Sequence, residues 1–156
     1  KTLVGLDWAL PASYENLKQN QALITVAFWS SKIGLLRYFP ESFYIKNQTL
    51  TENERKQYKL LAYKQLMSQA MLHESQTVKE NAKKVPSNIN PKIPALLMVS
   101  NGDGTSFSQF EWQRYAERFA SDQSNVQVVY MDAPHDLYHY QSHEIVSQIE
   151  DFLKSN

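Results

Sequence analysis

The stretch that most constrains the fold is residues 126–153, VQVVYMDAPHDLYHYQSHEIVSQIEDFL. It opens on a β-branched run, Val126, Val128 and Val129 followed by Tyr130 and Met131, which suits a strand buried on both faces of a sheet. It closes on a helix. Ile145, Ile149, Phe152 and Leu153 recur at the spacing that lays one apolar stripe against a core, with Ser142, Gln148 and Glu150 turned to water. Asp132, Ala133, Pro134 and His135 make the turn between the two. A strand that stops at a proline, leaves a histidine at its carboxyl end and enters an amphipathic helix is the arrangement in which α/β proteins carry chemistry. His135 is therefore a candidate functional residue, and its worth depends on its partners.

Upstream, residues 3–6 form a short apolar strand closed by Asp7, Trp8 and Pro11, since proline pushes its neighbour towards extended geometry. The run opens at Lys1 with no preceding turn or cap, so the natural polypeptide is expected to extend upstream. Residues 13–37 read as helical through Leu17, Leu23, Val26, Phe28, Ile33 and Leu35, with a break at Gly34 and an end at Phe39 and Pro40. Thr51 with Glu54 is a capping box. From it Leu60, Tyr63, Met67, Ala70 and Met71 trace one helical face to about His73. Thr77 and Glu80 repeat the pattern ahead of Val85 and Pro86. Residues 87–94 are rich in Asn and Pro and read as a linker into a second apolar strand, residues 95–99. That strand lacks alternation, as an interior strand of a parallel sheet does. Ser108 and Glu111 cap a helix whose buried stripe is Trp112, Tyr115, Ala116 and Phe119.

Strands alternating with helices imply an α/β fold with a parallel sheet of about three strands and right-handed crossovers. The helical block between the first two strands is too long for a crossover helix and reads as an inserted cap. The expected organisation is thus a core strand in residues 1–12, a cap in 13–90 and the rest of the core in 91–156.

Charge excludes several functions. Sixteen basic residues balance sixteen acidic ones without a Lys/Arg cluster, so neither a nucleic-acid footprint nor a polybasic membrane patch is expected. No cysteine is present, which removes disulfides, thiolate nucleophiles and sulfur metal sites but leaves the compartment open. The longest uncharged run, residues 19–31, is too short and polar to cross a bilayer, and the residues from Lys1 onward are not expected to act as a signal peptide. A soluble protein is expected, with the cytoplasm favoured.

Adjacent strands of a parallel sheet end on one edge, so Asp103, after residues 95–99, could lie beside His135. A carboxylate there would fix the imidazole tautomer and stabilise the imidazolium during proton transfer. Here the sequence resembles the α/β-hydrolase family. Residues 93–103, IPALLMVSNGD, look like the family's penultimate strand and acid turn, and residues 126–153 like its final strand, histidine turn and closing helix. Residues 3–11 resemble the strand before the cap, and residues 13 to about 90 the cap itself. The resemblance covers the whole chain as the family's C-terminal half. It implies Asp103 as triad acid, His135 as base, no cofactor and no metal, and a small-molecule acyl substrate. Asp7 stands where some branches of the family place the acid, but beside Trp8 it reads as structural.

Ser100 and Pro134 stand where the family usually has glycine, and no Gly-x-Ser-x-Gly elbow or His-Gly oxyanion motif occurs. Nucleophile and oxyanion hole are then expected upstream, and the chain by itself is expected to be inactive. Trp8, Phe28, Trp29, Phe39 and Tyr138 are the candidate pocket lining, and the apolar cap would cover the site and select substrates with apolar parts.

Two rival readings remain. One is a non-catalytic binding or structural module, with self-association through an exposed sheet edge. The other is a zinc hydrolase, since His135-Asp-Leu-Tyr-His139 resembles His-Glu-x-x-His and His143 follows one turn on. Against zinc, the motif needs one long helix, whereas this segment directly follows a strand and Pro134.

Overall fold

Every residue of the strand Ala95–Val99 (β2) is buried, because it carries only apolar side chains and has a strand on each side. The computed structural model describes residues 1–38, 50–86, 90 and 92–156. In it β2 lies between Leu3–Leu6 (β1) and Val126–Tyr130 (β3), all parallel, in the order β1-β2-β3. Leu3 to Leu6 align with Ala95 to Met98, and Ala95 to Val99 with Val126 to Tyr130. The expected parallel α/β sheet is the fold observed.

Side-chain alternation along β2 sorts the core into two faces. Leu96 and Met98 point to one cluster with Met131, Ala133, Leu137, Ile145 and Phe152. Leu97 and Val99 point to the other, with Leu10, Trp112 and Ala116. The first face is covered by the one-turn helix Leu137–Tyr140 (α6) and by Ser142–Ser155 (α7). The second is covered by Gln109–Ser121 (α5), whose capping box joins Ser108 and Glu111 as the sequence predicts. Of the predicted α7 stripe, Ile145 and Phe152 are buried, whereas Leu153 is exposed. β3 departs from expectation. It is the last strand of the sheet, and its Gln127 and Tyr130 are exposed; a valine-rich run reads alike at an edge or in the middle.

The chain divides into two compact units, Lys1–Lys18 with Glu80–Asn156, and Gln19–Lys79. The second is narrower than the expected cap of residues 13–90. The short helix Pro11–Glu15 (α1) stays with the sheet: it packs on α5, and Ser13 is buried with its hydroxyl donating to the Leu10 carbonyl at 2.7 Å. The second unit holds Gln21–Lys32 (α2), a 3-10 turn at Leu35–Tyr38, Glu52–Gln65 (α3) and most of Gln69–Ala82 (α4). Asn20 caps α2 by accepting from the Leu23 N–H, and the Thr51–Glu54 capping box opens α3.

The single helix predicted to reach about His73 is broken at residues 66–68. Leu66 is extended and Met67 has φ 54°, after which the Ser68 hydroxyl accepts from the Met71 N–H and starts α4. Thr77 therefore lies within α4 rather than at a helix start, and its hydroxyl donates to the His73 carbonyl at 2.9 Å. The predicted stop at Phe39 and Pro40 and half of the predicted linker of residues 87–94 fall outside the described residues. No helix among the described residues is long and apolar enough to cross a membrane.

Candidate functional site

Asp7 ends β1. Its N–H donates to the Met98 carbonyl at 2.7 Å, which continues the ladder, yet its φ of 51° turns the chain left-handed. A non-glycine residue there costs about 1 kcal/mol or more, and aspartate is among those that tolerate it. The turn swings the carboxylate under the sheet edge, where its side chain is 1% exposed.

Three donors meet that carboxylate. The Ser100 backbone N–H, just past β2, donates to Oδ1 at 2.7 Å, and the Trp112 indole Nε1–H on α5 donates to the same oxygen at 2.8 Å. The other oxygen, Oδ2, lies 2.5 Å from Nδ1 of His135. Burial pushes the Asp7 carboxyl up, but hydrogen bonds from His135, the Ser100 backbone and Trp112 outweigh it and hold the group below the ordinary carboxylate range. An ionised Asp7 accepts the Nδ1 proton, which leaves Nε2 as the acceptor of the neutral ring. The His135 side chain is 42% exposed, against 1% for Asp7. The pair thus joins an anchored buried acid to a base open to solvent, the layout of a proton-transfer couple.

The loops after β2 and β3 hold the histidine from behind. The His135 N–H donates to the Asp103 carbonyl at 2.8 Å, and the Asn101 N–H to the Ala133 carbonyl at 3.0 Å. Gly102 (φ 82°) closes the first loop against α5, where an added Cβ would come within 3.1 Å of the Trp112 Cβ. Trp112 in turn stacks on Phe107 at 5.7 Å and sets its ring edge to the imidazole at 5.9 Å.

These distances put a different carboxylate on the imidazole from the expected one. Asp103 is near His135, as adjacent strand ends require, but it contributes its backbone, and its side chain is exposed. The carboxylate on the imidazole is that of Asp7, first read as structural. Asp103 heads outward because the Asn101 side chain takes its N–H at 3.0 Å, folding a tight turn. Trp112, read as core stripe, belongs to the site as well. The signal for it was chemical: a buried indole N–H needs an acceptor, and a helix packed on the sheet next to a buried aspartate supplies the pairing.

Of the predicted pocket residues, Trp8 lies over β1, its ring so close to Gly5 that an added Cβ would sit 2.6 Å from Cε2. With Leu10, Pro11, Tyr14, Val85 and Phe119 it lines an apolar groove of about 390 Å³. Phe28 is buried in the second unit, edge-on to an exposed Trp29 at 5.4 Å. Tyr138 is exposed on α6 beside His139, with ring centroids 4.2 Å apart. Phe39 lies outside the described residues. His135 precedes α6, which is one turn long, so His135 and His139 do not share a helix. Among the described residues no group of three His, Cys, Asp or Glu side chains could hold a metal ion.

No protein-family model matches the chain, and no solved structure matches it. It is similar to the uncharacterized protein YbdG of Bacillus subtilis (strain 168), at 24% identity over 164 residues that take in 99% of this chain and 50% of that protein. The chain therefore spans about half the length of this curated relative.

Proposed function

We propose that this chain is the cap and C-terminal portion of an α/β-hydrolase that cleaves a small ester or amide, with Asp7 as acid and His135 as base. The observation that supports the reading is the buried Asp7 carboxylate on Nδ1 of a half-exposed His135 at parallel strand ends. A serine outside this chain would attack the acyl carbon while Nε2 of His135 takes its proton. Nε2 then returns that proton to the departing alcohol or amine. A water deprotonated at Nε2 releases the acyl group as the acid and restores the serine. Asp7 stays ionised throughout, holding the ring and stabilising the imidazolium. Asp103 positions His135 through its carbonyl and takes no proton.

The test is a p-nitrophenyl ester assay on the full-length protein, comparing His135→Ala with His139→Ala. Loss of turnover in the first and retention in the second is expected. Loss in the second alone would sink the assignment, as would an upstream sequence with no serine elbow.

A further inference from the structure

A second recess lies in the sheet unit, on the solvent side of the aromatic cluster that backs Asp7. It is a groove of about 430 Å³ lined by Asn16, Lys18, Ser106, Phe107, Glu111, Arg114, Tyr115 and Arg118. Arg114 and Arg118 stand one turn apart on α5, and Lys18 faces them from the end of the segment that follows α1. Like charges four residues apart on a helix cost a few tenths of a kcal/mol, and no carboxylate pairs with either arginine among the described residues. The one acid in the lining, Glu111, is already engaged. Its carboxylate accepts from the Ser108 N–H at 3.0 Å and from the Ser108 hydroxyl at 2.6 Å. These two bonds, with Lys18 adding to them, hold its carboxyl below the usual range.

The groove therefore carries three cations against one committed carboxylate, in a chain whose charges balance overall at sixteen and sixteen. Arg114 lies over the Phe110 ring at 5.8 Å, and a guanidinium stacked that way keeps its N–H edge for an anion. Arginine forks and a lysine ammonium are the donors that phosphate oxygens call for. The wall is aromatic: Phe107 and Tyr115 meet edge to face at 5.4 Å. Such a wall suits the ring of an organic ligand better than a bare ion.

We propose that this groove binds the phosphate of a small aryl or heteroaryl phosphate, with Lys18, Arg114 and Arg118 on the phosphate oxygens and Phe107 and Tyr115 against the ring. The site is separate from the Asp7–His135 pair and does not depend on the hydrolase reading. Phe107 stacks on Trp112, so an occupant changes the surroundings of a tryptophan that reports binding. In Trp8→Phe/Trp29→Phe protein, with Trp112 as the remaining tryptophan, phenyl phosphate should shift the emission saturably and bind more tightly than inorganic phosphate. Arg114→Ala/Arg118→Ala should weaken it at least tenfold. Both arginines are exposed, so thermal unfolding of that variant should match its parent. Calorimetry on the wild-type chain repeats the comparison without the tryptophan changes. No saturable binding at millimolar phenyl phosphate in either assay overturns the proposal. Equal affinity in the double-arginine variant overturns it too, because the anion would then sit elsewhere.

Discussion

Replacing Asp7 by asparagine separates the two candidate acids. The amide keeps an oxygen for the Ser100 and Trp112 donors, now 2.7 and 2.8 Å from Oδ1. It presents an NH₂ to His135 where Oδ2 stood. Nδ1 must then accept, the proton moves to Nε2, and the ring can no longer act as base there. An imidazole held in the wrong tautomer costs about 10⁴-fold in turnover. Asp103→Asn leaves the carbonyl that holds the His135 N–H untouched, so it should change turnover by no more than a few-fold. The structural cost of Asp7→Asn is smaller. Two bonds fall from charged to neutral acceptors at roughly 1 kcal/mol each, partly offset by no longer burying a charge, so about 2 kcal/mol or less is lost at neutral pH. Because the Asp7 carboxyl is held below its ordinary 3.8, its contribution to stability is full above that value. It is lost as pH falls through the lower folded-state value. The stability gap between wild type and Asp7→Asn should therefore close only below about pH 3.8. Steady-state ester hydrolysis on the full-length protein and urea unfolding across pH read the two effects. Turnover lost in Asp103→Asn and kept in Asp7→Asn would refute the reasoning.

Trp112→Phe keeps the ring stack and removes one donor from Oδ1, so the Asp7 carboxyl should rise and the acid limb of the pH–stability profile move up; an unmoved limb argues against the indole bond. Gly5→Ala puts a Cβ 2.6 to 2.8 Å from three atoms of the Trp8 ring. It should cost about 1–3 kcal/mol, with a change in Trp8 emission; a neutral outcome would show that the ring moves freely. Phe152→Ala empties the α7 face of its largest side chain and should cost about 3–5 kcal/mol in chemical denaturation.

Much of the frame could be read from local pattern. A proline or glycine follows each strand within the next loop or at the start of the next helix, both capping boxes that formed are three-residue signals, and His135 was marked by its place after a strand. What escaped was tertiary. Asp7 and Asp103 both follow strands that end on one edge, and which carboxylate turns inward depends on a left-handed backbone at one and a tight turn at the other. Neither is written in residue type. Trp112 looked like any apolar stripe residue, because a helical period reports burial and not what an indole N–H finds there. The break at residues 66–68 carries no glycine or proline, so the periodicity ran straight through it.

The groups around Asp7 come from far apart along the chain: Ser100 is 93 residues away, Trp112 is 105 and His135 is 128. Closing loops of that length costs entropy before any contact returns it. The cluster forms only once β1 has docked beside β2, with the whole Gln19–Lys79 unit already looped out between them. Exchange protection at the Ser100 amide is then a clock for completed assembly, since that proton is held by a residue from the far end of the chain.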